Sequence, residues 1–343
     1  MQLQEQVPLA AWTTFRIGGP ARWFVEATDE AELLDAVRFA REQNAPLFVL
    51  GGGSNLLVSD QGFPGVVLHV ALRGVRQEGN LFRVAAGENW DAFVSLAIER
   101  GFGGIECLAG IPGTVGGTPV QNVGAYGQEV SGTIAAVRVL DRKSLNFSEL
   151  PASACGFSYR RSIFNSSHRD RFVVTRVDYR LRPNAFPVLH YPDLKRHFAD
   201  RKETPTLAEA AAAVREIRHG KGMLLIDGDP DCRSAGSFFK NPVVRQALYD
   251  EIAAAASGPV PSFAAQAGFV KIPAAWLVEQ AGFHKGFAMG AAGISSRHTL
   301  ALINRGAATA DEILTLRDAI RAAVAKRFGI ALDPEPVWVG PPQ

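Results

Sequence analysis

Short runs of branched and aromatic residues, several alternating with polar ones, recur along the chain at 21–27, 47–50, 65–69, 81–85, 134–141 and 172–181. Runs of that length and rhythm predict β-strands, with one face turned to a core. Between them lie segments opened by helix-start signals. Asp29 precedes Glu32, Thr206 precedes Glu209, and Thr309 precedes Glu312. A short polar side chain followed three residues later by a glutamate can satisfy the unpaired amides of a first turn, and the acid also suits the helix dipole. These signals predict helices over 31–42, 207–218 and 310–328, the last stopped by Gly329. Asn89 caps a fourth, 90–100, which ends at Gly101. Strands and helices are mixed without regular alternation, so the fold class expected is α+β rather than a doubly wound sheet. Residues 182–204 are polar and proline-bearing and read as a long connection to a second half.

Composition narrows the field. At 343 residues and 47% apolar, the chain can fill two or three domains. Thirty-six Lys and Arg against 34 Asp and Glu leave a net charge of +2, so no basic stripe argues for nucleic acid. No apolar run approaches the roughly 18 residues that a bilayer requires, and the N-terminal stretch does not read as a signal peptide. A cytoplasmic protein with no membrane partner, and a monomer, is expected. The three cysteines, Cys107, Cys155 and Cys232, are far apart and suit structural thiols in a reducing compartment. The seven histidines form no paired motif, so no protein-built metal site is expected.

Glycine changes the picture further. Gly51-Gly52-Gly53-Ser54-Asn55 follows a strand, yet the third glycine of a dinucleotide fingerprint is missing, since Leu56 stands there. More strand and turn follow it instead of a helix, and no strand-end acid sits about 20 residues on, which argues against a Rossmann unit. Two readings of the triple glycine stay open: a plain hairpin turn, or successive amides aimed at a pyrophosphate. A second stretch, 108–127, holds six glycines and few charges. A loop that long is usually functional. Small residues in two such loops would let backbone press on one extended cofactor from both sides.

The ordered set Gly-Gly-Gly-Ser-Asn at 51–55, Ala-Gly-Ile-Pro-Gly-Thr-Val-Gly-Gly-Thr-Pro-Val-Gln-Asn-Val-Gly-Ala-Tyr-Gly at 109–127, Tyr159-Arg160, Gly-Ser-Phe-Phe-Lys-Asn-Pro at 236–242 and a late glutamate covers nearly the whole chain. It resembles the UDP-N-acetylenolpyruvoylglucosamine reductase family, type I subgroup. The resemblance implies a two-part FAD-binding domain of the p-cresol methylhydroxylase/vanillyl-alcohol oxidase type plus a substrate domain. The division it suggests is 1–64 with 331–343, then 65–205, then 206–330. It also implies noncovalent FAD, NADPH as hydride source and a UDP-sugar enolpyruvyl ether as substrate. Gly51, Gly52, Gly53, Ser54, Asn55, Gly113, Gly116, Asn122, Gly124 and Ala125 would meet the cofactor. Tyr126, Tyr191, Lys221, Asn241 and Lys271 would meet the UDP-sugar, with Tyr191 on a loop able to close.

The implied reaction reduces a C=C bond conjugated to a carboxylate. Hydride addition at the methylene carbon builds negative charge on the α-carbon and into the carboxylate. The site then needs a cation, a hydrogen-bond partner and a proton donor. Arg160 is the candidate cation, because a guanidinium binds carboxylate in a fork and stays charged. Its neighbour Arg161 is set aside by the motif alone, and an ordinary surface salt bridge is the commoner use of an arginine. Glu335 lies in Asp-Pro-Glu-Pro-Val-Trp, where desolvation would favour its protonated form; an exposed tail carboxylate is the competing reading. Pro336 departs from the family, which usually has an aliphatic residue there. Ser237, followed by two phenylalanines, is the candidate proton donor, against a turn serine that caps backbone. The rivals to this reading are an alcohol or hydroxy-acid oxidase on the same scaffold and a non-catalytic nucleotide-sugar binder.

Overall fold

The helix-start signals act where they stand. In the computed structural model, which describes residues 1–341, helix α1 spans Glu30–Glu42 and Asp29 caps it, accepting from the Glu32 amide at 2.8 Å. Glu32 reaches back one residue further than the spacing suggests, to the amide and hydroxyl of Thr28. Asn89 accepts from the Ala92 amide at 2.9 Å and opens α2, Trp90–Glu99. Beyond the short α3, Pro192–His197, comes α4, Leu207–Gly220, whose Thr206 and Glu209 bond each other's amides at 2.7 and 3.2 Å. Helices α5, Gln246–Ala255, and α6, Ala274–Gln280, precede α7, Ala310–Phe328. Thr309 and Glu312 form a complete capping box on α7, and Gly329 ends it in the left-handed conformation at φ 65°. That geometry costs a residue without Cβ nothing.

The chain forms two compact units. The first holds residues 1–7, 21–53 and 63–220, and carries two sheets. In one, Pro20–Ala27 and Leu47–Leu50 flank Phe63–Val70 in parallel, with Leu3–Pro8 at the edge. Parallel neighbours need crossovers, and α1 provides one between the first two strands. The other is a five-stranded antiparallel sheet in which Ile134–Asp141 and Phe172–Arg180 are central. One apolar core runs through this unit, with Trp90, Tyr179, Phe82 and Leu140 fully buried. The mixture of parallel and antiparallel sheets with helices is the α+β class.

The second unit holds residues 8–20, 54–62 and the described residues from 221 onward. Its core joins Phe15, Phe238, Phe239, Ile272, Leu302 and the apolar face of α7. Two three-stranded sheets, Val243–Arg245 with Phe269–Lys271 and Phe263–Ala264, and Ala288–Met289 with Ala292–Ile294 and Leu302–Asn304, lie in it. Leu56–Val58 pairs in parallel with Val337–Val339, so the triple glycine is no hairpin turn. The two units cut the chain differently from the three-part division read from sequence: α4 packs in the first unit, and 331–341 lies with 54–62 in the second. The 182–204 connection is also partly structured, holding Arg182–Pro183 and α3.

Candidate functional site

In the first unit the two glycine stretches meet backbone to backbone. A Cβ placed on Gly52 would lie 2.5 Å from Gly113 Cα and 2.9 Å from Gly113 C, and one on Gly51 would lie 2.8 Å from Thr114 Oγ1. Only glycine permits that approach. The second stretch is less irregular than its composition suggests. Residues 115–117 form a helical turn, and Gly124–Ala125 pairs with Gln128–Glu129. It is anchored by Trp90 N to Gly113 O at 3.1 Å, Val115 N to Glu88 O at 2.9 Å and Gly116 N to Ala86 O at 2.8 Å. A Cβ on Gly116 would strike Ala86 Cβ at 2.7 Å. Thr118 bonds the buried Tyr179 hydroxyl at 2.7 Å.

Asn122 is fully buried. Its amide protons go to Glu129 Oε2 at 2.8 Å and Ser158 O at 3.1 Å, and its oxygen accepts from Ser131 N. These bonds spend the side chain on holding the loop. Gly124 O accepts from the Arg160 guanidinium at 2.8 Å. Arg160 itself sits in a tight turn whose ends, Ser158 and Arg161, exchange backbone bonds at 2.9 and 3.0 Å; Arg161 is exposed. Asn122, Tyr126 and Arg160 all have positive φ, at 47°, 49° and 54°. Non-glycine residues in that region carry strain that the surroundings must hold in place, and such residues gather at working sites.

Tyr126 is buried and meets Tyr191 edge-on, with ring centroids 5.3 Å apart. Tyr191 thus packs on the glycine loop as the residue preceding α3. Arg218, on α4, went unnoticed in the sequence. It is buried, donates from Nε to Gly110 O at 3.0 Å, and interacts with Tyr126. Burial lowers its pKa, while Tyr126 and Asp91 oppose that shift.

In the second unit, residues 233–241 thread between two other segments. On one side Phe238 N donates to Leu300 O at 2.7 Å and Asn304 N donates to Arg233 O at 2.9 Å. On the other, Lys240 N donates to Asp333 O at 3.0 Å and Glu335 N donates to Phe238 O at 2.8 Å. Backbone bonds therefore hold Ser237 between the 298–304 and 333–335 segments. Phe238 and Phe239 are buried in the core, which fixes the extended segment on which Ser237 rides. Asn55 donates from Nδ2 to Glu335 O at 3.2 Å, and Val337 N donates to Asn55 O at 2.9 Å, tying Ser54-Asn55 to the same segment.

Ser237 Oγ lies 3.4 Å from Nε2 of His298, which sequence reading passed over. Burial, then the charges of Lys221 and Lys285, push the His298 pKa down to about 4, so the imidazole is neutral at ordinary pH. Lys221 and Lys285 thus act electrostatically on the imidazole that faces Ser237. Asn241 Oδ1 accepts from Ala274 N at 2.8 Å at the start of α6, and Lys271 pairs across from Val243. Asn241 and Lys271, two of the five residues read as UDP-sugar contacts, are thus on adjoining segments.

The geometry of the glycine loops fits the implied FAD. Gly51 and Gly52 let the two loops close on each other where any Cβ would force them apart, and Thr114 Oγ1 beside them is buried with no hydrogen-bond partner among the described residues. A buried hydroxyl without a partner is costly and points to a polar group supplied by a ligand.

Comparison with known proteins agrees. Residues 21–144 match the family model of an FAD binding domain, and 229–339 match that of the UDP-N-acetylenolpyruvoylglucosamine reductase C-terminal domain. The UDP-N-acetylenolpyruvoylglucosamine reductase of Streptomyces coelicolor is 45% identical over 99% of this chain and 91% of its own. That of Mycobacterium leprae is 43% identical over 98% and 95%. The crystal structure of the enzyme (MurB) from Thermus caldophilus superposes over 99% of both chains, with a TM-score of 0.68 at 27% identity. The chain belongs to the UDP-N-acetylenolpyruvoylglucosamine reductase family.

Proposed function

We infer that this chain is an FAD-dependent oxidoreductase that reduces the enolpyruvyl ether of UDP-N-acetylglucosamine to UDP-N-acetylmuramate with NADPH, a step in peptidoglycan precursor synthesis. The observation that carries the reading is the full-length likeness to reductases of that name, joined to a serine held by backbone beside a glutamate in the second unit. FAD, when bound, supplies hydride that originates in NADPH.

The protein's own residues do the rest. Arg160 pairs with the substrate carboxylate and stabilises the charge that develops there as hydride arrives. Its turn is braced by Gly124 O and by Asn165, whose Nδ2 donates to Arg160 O at 3.1 Å. Glu335 hydrogen-bonds the enol form, and Ser237 gives its proton to the α-carbon. A hydroxyl is a weak acid, but an enolate carbon is basic enough to take its proton at close range. Gly51, Gly52, Gly53, Gly113, Gly116 and Ala125 hold the cofactor by backbone, with Ser54 and Asn55 continuing the first loop. Asn122 and Gly124 complete the set, the bonds of both bracing the second loop. Tyr126, Tyr191, Lys221, Asn241 and Lys271 bind the UDP-sugar, the lysines against diphosphate. In this reading 1–64 with 331–343 and 65–205 serve FAD and 206–330 serves the substrate, a division by task that does not follow the two compact units. The enzyme works as a cytoplasmic monomer; three unpaired, buried cysteines are what a reducing compartment allows.

Anaerobic spectra of the holoenzyme test the function. The flavin band should bleach with NADPH and return with the enolpyruvyl ether. A band that ignores NADPH and bleaches with an alcohol would support the oxidase reading instead. Ser237→Ala should leave reduction by NADPH nearly intact while slowing reoxidation by substrate ~10²–10⁴-fold. An equal fall in both half-reactions would refute the proton-donor role.

A further inference from the structure

We propose that His298 is the positioning residue for Ser237: a neutral imidazole protonated at Nε2 donates into Ser237 Oγ, turns the hydroxyl proton toward the substrate and holds the alkoxide left behind. The proposal rests on the reading of Ser237 as proton donor.

The two atoms stand 3.4 Å apart, a distance that the loaded site can tighten. The pair can share protons in two ways. If Oγ–H pointed at Nε2, the proton the reaction needs would face the wrong group. If Nε2–H points at Oγ, the hydroxyl proton stays available for the α-carbon. In the step itself the Oγ–H bond breaks and the C–H bond forms. The electron pair left on Oγ is met by Nε2–H, and solvent returns the proton after product leaves. Lys221 and Lys285 are the charged groups that act on the His298 ring, and both disfavour a second ring proton.

The imidazole is held where this role needs it. Ser295 is fully buried, and its Oγ accepts from the amides of Arg297 and His298 at 3.0 and 3.2 Å. Ser295 N donates to Ala301 O at 2.9 Å, and Ala301 N donates to His298 O at 3.1 Å. Asp231 ties the turn down from outside, accepting from Ser296 N, Ser296 Oγ and Arg297 Nε at 3.2, 2.7 and 3.0 Å. Arg297 also pairs with Asp229. The bond from Phe238 N to Leu300 O then locks this turn against the segment of Ser237. So much fixed backbone around one imidazole is the support that a positioned catalytic group requires.

The test compares half-reactions of holoenzyme variants. His298→Leu removes the donor. His298→Gln keeps a side-chain N–H at about the reach of Nε2. His298→Leu should slow flavin reoxidation by the enolpyruvyl ether ~10²-fold and leave reduction by NADPH within about threefold. His298→Gln should recover most of the loss. In a Ser237→Ala background, His298→Leu should cost less than about threefold more, because His298 acts through the serine. Multiplying effects in the double variant, equal loss in both half-reactions, or wild-type reoxidation in His298→Leu would each overturn the proposal. If Ser237→Ala itself reoxidises normally, the serine reading fails first. If Ser237→Ala is slow and His298→Leu is not, only the positioning role fails. Nitrogen NMR of the imidazole gives a check apart from turnover: Nε2 should carry the proton, and an Nδ1–H tautomer would refute the proposal.

Discussion

Replacing Gly52 with alanine tests the cradle reading most directly. The added methyl would sit 2.5 Å from Gly113 Cα, 2.9 Å from Gly113 C and 3.2 Å from Thr114 N, all of them backbone. Relaxed carbon contacts lie at about 3.5–4.0 Å, so one loop must retreat by roughly 1 Å. No flexible side chain is there to yield. Overpacking of this kind costs about 1–3 kcal/mol. If the cost falls on the geometry that grips FAD, affinity should drop about 5- to 150-fold, since each 1.4 kcal/mol is a factor of ten. Titration of apoprotein with FAD, followed by flavin fluorescence, reads the dissociation constant. Gly117→Ala is the matched control: it lies in the same stretch, and a Cβ there meets nothing within 4 Å. Thermal unfolding without FAD separates lost grip from lost fold. FAD binding by Gly52→Ala within about twofold of wild type, or equal weakening by both variants, would refute the claim that loop contact sets cofactor affinity.

Two further outcomes follow from the same structure. Asn122→Ala should destabilise the first unit by about 2–4 kcal/mol, because it strands Glu129, Ser158 O and Ser131 N together; denaturant unfolding measures it, and a loss below about 0.5 kcal/mol would show that these bonds do not brace the loop. His298 makes stability fall on the acid side. The unfolded imidazole takes a proton near pH 6.5, whereas the folded one refuses it until about pH 4, so stability declines as pH drops through that window, by roughly 3 kcal/mol in total. Urea denaturation of His298→Gln at pH 7 and pH 4.5 should show a shallower decline than wild type, and identical declines would mean that the folded site does not exclude the proton.

Much of this architecture was legible because local chemistry decides it. Asn89, Thr206 and Thr309 each cap the helix they announce, and the branched runs at 134–141 and 172–181 become the central strands of a sheet. Asp29 does so too, although Glu32 closes on Thr28, since a flexible carboxylate can reach either amide. Long-range pairing left no local mark. Nothing in 56–58 or 337–339 announces that they run side by side in parallel, and that pairing is what excludes a hairpin at the triple glycine. Nor did composition show that 108–127 would contain a helical turn and a small strand pair: glycine content reports permitted backbone, and the partners that shape it lie elsewhere. His298 was missed because a lone histidine in Ser-Ser-Arg-His looks like surface. The two serines before it were the available signal, since short hydroxyl side chains that bond nearby amides build turns of the kind found there.

The two sets of residues that the motifs single out are built by opposite devices. Around Gly51, Gly52, Gly113 and Gly116, side chains are removed so that backbones can touch, and Asn122, Thr118 and Arg160 hold the result under positive-φ strain at two of these three positions. Around Ser237, precision comes from addition. An irregular segment is bonded on both sides by backbone, backed by two buried phenylalanines and faced by an imidazole on its own braced turn. The difference suits the tasks proposed for the two sets. A large cofactor is gripped along its length by many amides, and what must be excluded there is bulk. A proton donor acts over a single bond, where an error of about 1 Å can cost 10²-fold in rate, so what must be excluded there is motion. Substitutions should separate accordingly. Added volume in the glycine loops should appear first as lost FAD affinity, whereas loss of a brace near Ser237 should appear as a slowed half-reaction with FAD still bound.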